Sequence, residues 1–136
     1  MSANRFPYTF LVDDGAVQDL HDAIRENPDE GDLLAVILEE MRGDLNLCAK
    51  LIDPGYQDEV INKVEPFWAV QSDGYNAYTV RFYDVHDWRM ITAVDHKSRT
   101  IAVLYIMRRD ENYDSTVQGH VAEAYDRLGL GRLGRS

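Results

Sequence analysis

Cysteine is nearly absent: Cys48 stands alone in 136 residues, so no intrachain disulfide can staple the fold. The chain also lacks an opening charged n-region followed by a long apolar stretch, and the two absences together set the expectation of a cytosolic protein. No apolar run approaches the roughly 20 residues that span a bilayer, which leaves membrane insertion out. Positive charge is scarce, with 14 Lys and Arg against 24 Asp and Glu and a net charge of −10. That balance argues against a surface that grips nucleic acid all round, because phosphate binding draws on Lys and Arg. Repeats, low-complexity tracts and inter-domain linkers are missing too, and this length fits one domain with a real core.

The acidity is unevenly spread. Residues 1–74 hold 5 Lys and Arg against 16 Asp and Glu, whereas residues 75–136 hold 9 against 8. A locally basic face can therefore survive in the second half. That half contains the stretch 78–114, YTVRFYDVHDWRMITAVDHKSRTIAVLYIMRRDENYD. Three runs within it, 78–83, 88–95 and 100–107, are dense in β-branched and aromatic residues and bounded by polar turns, the pattern of an antiparallel meander. The first run alternates, with Tyr78, Val80 and Phe82 on one face and Thr79, Arg81 and Tyr83 on the other. One face is expected to be core, leaving the other open to function.

In chain order, residues 6–12 (FPYTFLV) read as a first strand ended by the turn signal Asp13-Asp14-Gly15. Val17, Leu20 and Ile24 recur at helical spacing over 16–27. Asn27-Pro28-Asp29-Glu30-Gly31 breaks that helix, and Asp32 is placed to cap a second, with Leu33, Leu34, Val36, Ile37, Leu38 and Met41 on a broad apolar face. Gly43-Asp44 either ends or interrupts it, before Asp53-Pro54-Gly55 stops the pattern. Residues 56–64 read as a short polar helix or turn with Val60, Ile61 and Val64 inward, and 66–70 as an irregular or edge strand. After the meander, Val117, Val121, Ala124, Tyr125 and Leu128 predict a last helix, and the Gly- and Arg-rich tail 129–136 is expected to fray. The resulting expectation is one α+β domain, with a first strand (1–13), an acidic helical region (14–64), a meander (65–114) and a C-terminal helix and tail (115–136). Its helices would pack against one face of an antiparallel sheet.

Several residues carry competing readings. Arg81 and Arg89 are either site cations or cross-strand partners of Asp84, Asp87 or Asp95. Arg108-Arg109 either bind an anion or protect a strand edge from aggregation, and Tyr113 is either a site group or half-buried packing. His86 with Asp84 and Asp87, and His96 with Asp95, read as turn chemistry rather than a metal site, since no HxH or CxxC spacing supports them. Cys48 reads as inert core, and Trp68 and Trp88 as packing anchors unless exposed to stack on a base.

The meander's motifs run Tyr78-Thr79-Val80-Arg81-Phe82, then Trp88-Arg89-Met90-Ile91, then residues 101–107 followed by Arg108-Arg109-Asp110-Glu111-Asn112-Tyr113. In this order they resemble the RelE/ParE toxin superfamily of bacterial toxin–antitoxin systems. The resemblance covers the second half of the chain, and the first half only in the order of its elements. It implies a ribosome-dependent endoribonuclease that cuts translated messenger RNA by attack of a ribose 2′-OH on the adjacent phosphate, with no metal and no cofactor. By the same resemblance Arg89 and Arg109 would hold the phosphate, Arg81 would hold substrate or tune a nearby group, and Tyr113 would handle a proton or stack on a base. Arg108, Thr79 and Trp88 would bind substrate. The implied partners are a cognate antitoxin laid across the sheet or its groove, and the ribosome with its message. Thr79 stands where several ribonuclease members carry lysine, and Asp110, Glu111 and Asp114 flank the basic segment. Other branches act on gyrase, so the second expectation is a non-catalytic protein-binding module on the same scaffold.

Overall fold

The computed structural model describes residues 8–134. β1 (Thr9–Val12) leads into α1 (Asp14–Glu26) and α2 (Pro28–Gly43), followed by the short α3 (Leu45–Cys48) and a 3-10 turn over Ala49–Ile52. β2 (Ile61–Pro66) and the single-turn α4 (Trp68–Gln71) come next. The meander is β3 (Ala77–Phe82), β4 (Val85–Asp95) and β5 (Thr100–Arg108), and α5 (Ser115–Arg127) closes the order. The five strands form one sheet in the order β1-β5-β4-β3-β2. β1 runs parallel to β5, with Thr9 opposite Thr100 and Val12 opposite Val103, and the other pairs are antiparallel.

The architecture is α+β, with a mixed sheet in place of the expected antiparallel one. Its helices also cover both faces, where one was expected. α1, α2 and α3 pack against Val64, Val80, Phe82, Trp88, Met90, Val94, Ile101 and Val103. On the opposite face Val117, Val121, Ala124 and Tyr125 of α5 pack with Ile91, Ala93, Ala102 and Leu104. A strand buried on both sides carries apolar residues on both, and Met90, Ile91, Ala93 and Val94 do so within β4.

Capping sets the helix boundaries. The Asp13 carboxylate accepts from the Gly15 N–H at 2.9 Å to start α1, and is itself held by two Arg127 N–H groups at 3.0 and 2.9 Å. Only 2 % exposed, Asp13 ties the end of β1 to the end of α5. Asn27 accepts from the Glu30 N–H at 3.3 Å, with Pro28 in the first turn where a missing N–H costs nothing. So α2 is capped by Asn27 and not by the expected Asp32, and residues 28–31 belong to the helix. Asp44, in extended conformation, ends α2 and caps α3 by accepting from the Asn46 N–H at 2.9 Å, so Gly43-Asp44 separates two helices.

Two further expectations are corrected. Residues 61–66 form a strand, whereas a helix or turn was expected there, and β2 ends where an edge strand over 66–70 was expected to begin. The tail is fastened as far as Leu133. The Gly131 N–H donates to Asp95 Oδ2 at 2.9 Å, the Leu133 N–H to the Gly74 carbonyl at 2.6 Å, and the Arg132 guanidinium lies 4.3 Å over the Tyr75 ring. Residues 6–7 of the expected first strand and 135–136 of the tail lie outside the described residues. Among the described residues no helix is long and apolar enough to cross a membrane.

Candidate functional site

Val80 and Phe82 of β3, and Trp88 and Met90 of β4, belong to the core beneath α1–α3. Alternation therefore turns Arg81 and Arg89 to the other face, the one α5 covers in part. There the Arg89 Nη1–H donates to the Tyr113 hydroxyl at 3.1 Å, and the guanidinium carbon lies 5.6 Å from the centre of the tyrosine ring. Tyr113 sits just before α5. Its carbonyl accepts from Gln118 Nε2 at 2.9 Å, and the next residue, Asp114, caps the helix by accepting from the Thr116 and Val117 N–H groups. Buried Phe67 meets the tyrosine ring edge to face at 5.2 Å. A helix start, a strand and the β2–α4 junction thus fix one phenol beside one guanidinium across 24 residues of chain.

The same face carries Arg81, and opposite it on β2 stands Lys63. Lys63 reaches Glu65 at 3.1 Å along its own strand. Thr79, opposite Glu65 and Ile91, is buried, which takes it out of the expected substrate-binding set. Two carboxylates expected to neutralise Arg81 and Arg89 are engaged elsewhere. Asp87 accepts from Asn27 Nδ2 at 3.2 Å, and Asp95 accepts from Lys97, Ser98 and Gly131.

The second basic pair goes another way. Arg108 turns toward α1 and makes a two-pronged bond to Glu26. The Arg108 hydrogen bond holds the Glu26 carboxyl below its ordinary value. Arg109 is exposed, its backbone N–H donating to the Asp87 carbonyl at 2.8 Å, and with Arg108, Glu26, Asn27, Asp87 and Trp88 it lines a hollow of about 540 Å³. Of the expected catalytic set, Arg81, Arg89 and Tyr113 share one face, and Arg109, whose backbone meets β4 two residues before Arg89, lines the hollow with Arg108. Trp88 is 5 % exposed and belongs to the core, so it offers no stacking platform. Trp68, 71 % exposed, is the tryptophan that solvent sees.

Sequence reasoning passed over Lys63, which becomes visible only once β2 is paired with β3. It also missed a cluster at the edge of β5. Asp19 accepts there from the Ile106 N–H at 3.1 Å, Tyr105 donates to Glu111 at 2.8 Å, and His120 stacks on Tyr105 at 5.6 Å. Burial, helped by the charges of Asp22 and Glu111, pushes the Asp19 carboxyl up to about 6, and burial with the Glu111 hydrogen bond raises the Tyr105 phenol. Cys48 is buried and burial pushes its thiol up to about 11, so it is not a nucleophile near neutral pH. Tyr8 OH and His96 Nδ1 lie 2.7 Å apart, and among the described residues no group of three or more His, Cys, Asp or Glu side chains is placed to hold a metal ion. Comparison with protein-family models, curated proteins and solved structures finds no match to this chain.

What the arrangement offers is anion recognition. A guanidinium keeps further donors for a phosphate after one is given to Tyr113, and the phenol, accepting from Arg89, retains a proton of its own to donate.

Proposed function

We propose that the chain is a RelE-like toxin of the RelE/ParE superfamily, a metal-independent endoribonuclease acting on translated messenger RNA. The observation that carries the reading is the Arg89–Tyr113 contact on the face shared with Arg81. The order of strand, helical pair and antiparallel meander, with Tyr113 just beyond its last strand, also supports it. In the reaction the ribose 2′-oxygen bonds to phosphorus and the P–O5′ bond breaks, leaving a cyclic phosphate. Arg81 and Arg89 stabilise charge growing on the phosphorane, Tyr113 gives its proton to the departing 5′-oxygen, and the 2′-OH proton passes to solvent.

Induced expression in a bacterial host, with 5′ ends of cellular messages mapped, tests this reading. The expected outcome is growth arrest with new cuts in translated messages. Arg89→Ala should lower cutting by roughly 10²–10³-fold and Tyr113→Phe by about 10²-fold or more. Arrest with no cuts, or cuts unaffected by either change, refutes the ribonuclease. A second reading, a protein-binding module acting on a host protein such as gyrase or held by an antitoxin, draws on the pairing of Arg108 with Glu26, which occupies one of the expected anion-binding cations. Arrest without cuts supports it.

A further inference from the structure

Lys63, Arg81 and Arg89 occupy three consecutive strands of the sheet and turn to the same face, since Val64, Val80 and Met90 beside them all lie in the opposite core. Lys63 and Arg81 are direct cross-strand partners. Glu65, two residues along on the same face, holds Lys63 at 3.1 Å, so the row carries one carboxylate beside its three cations, and a phosphate arriving at Lys63 competes with that bond. The row crosses at least two inter-strand gaps, ~10 Å, and ends at Tyr113. β2 is the outer strand, so the row runs to the rim of the sheet. Just past β2, buried Phe67 packs against Tyr113 at 5.2 Å, and the next residue, Trp68, leaves 71 % of its surface in water. An exposed indole next in sequence to the residue that packs on Tyr113, together with a row of cations ending at Tyr113, matches the two demands of a single strand: charge for successive phosphates and a flat ring for a base.

We propose that β2 extends the site, with single-stranded RNA running from Arg89 and Tyr113 across Arg81 to the rim, where Lys63 holds a neighbouring phosphate and Trp68 stacks on a base. The inference rests on the ribonuclease reading for its choice of RNA, and it assigns Lys63 and Trp68 to substrate binding rather than to the chemical step.

The test is fluorescence-polarisation binding of a labelled, unstructured 12-nucleotide oligouridine to the full chain over a salt series. Wild type is compared with Lys63→Gln, Trp68→Ala, Arg89→Ala and a control, Lys97→Gln, in the turn between β4 and β5. Lys63 is half exposed, and equal melting temperatures check that its replacement leaves the fold intact. Lys63→Gln should weaken binding about 3- to 10-fold at low salt and flatten the log–log salt slope by about 0.7, while Lys97→Gln leaves both unchanged. Trp68→Ala should weaken binding ~5- to 100-fold. Wild-type affinity and slope in Lys63→Gln, or no oligouridine binding by wild type, overturns the inference. If Lys63→Gln is silent while cellular cuts still depend on Arg89, the inference alone has failed. If Lys63→Gln behaves as expected but no cuts form in cells, the ribonuclease has failed and the binding track stands.

Discussion

Thr92 sits fully buried in β4, where a hydroxyl without a partner would be costly. Its O–H donates to the Leu51 carbonyl at 2.7 Å, so the polar group serves to fasten the 3-10 turn onto the sheet. Thr92→Val keeps the shape and leaves that carbonyl unpaired, which should cost about 1–3 kcal/mol in a urea unfolding curve with unchanged slope. A variant as stable as wild type would mean that the Leu51 carbonyl finds water instead. Side-chain direction also explains the fate of the candidate residues. Arg81, Arg89 and Tyr113 could be named from their order in the meander, but Arg108 turns to Glu26 because it alternates with Met107 at the end of β5. Trp68 and Trp88, read alike from the sequence, differ because exposure depends on which element covers each, and that is not local information.

At the level of elements, α1 and α2 pack closely enough that one residue between them has no room for a side chain. A Cβ on Gly31 would lie 2.5 Å from the Ile24 Cα and 2.8 Å from the Ala23 carbonyl carbon, both backbone atoms that cannot swing aside. Gly31→Ala should therefore destabilise the chain by about 3 kcal/mol despite alanine's better helix propensity, as a fall in thermal midpoint would show. Stabilisation would mean that the two helices can move apart freely. The meander was legible because β3, β4 and β5 are rich in β-branched residues and joined by short turns. β2 was not, for a structural reason. Its register shifts between Ile61 and Lys63, so its two core residues, Ile61 and Val64, fall three apart and imitate a helix turn. The parallel pairing of β1 with β5 joins residues about ninety positions apart, and no local pattern encodes it. With β2 unread, the partner of Arg81 and the rim of the candidate site were unreadable as well.

Across the whole molecule, carboxylates of opposite tendency shape the response to pH. Burial works to raise Asp58 and Asp95, yet hydrogen bonds outweigh it: from Ile61, Val60 and Tyr56 on one, and from Gly131, Ser98 and Lys97 on the other. Both end below their ordinary value. The stability they contribute is present above the unfolded carboxylate range and is lost as pH falls through their depressed values. Asp19 works the other way. Burial and neighbouring acids raise it to about 6, so its contribution is complete below the unfolded value near 3.8 and is lost as pH rises through about 6. Asp19→Asn keeps an oxygen to accept from the Ile106 N–H and removes the titration. Its stability relative to wild type should therefore climb between about pH 4 and pH 7, by ~1 kcal/mol once solvent screening of a half-buried group is allowed for. Paired thermal melts at several pH values measure that difference directly. A gap that stays constant across the window would mean that Asp19 is ionised with no penalty, and that the β5 edge it caps is open to water.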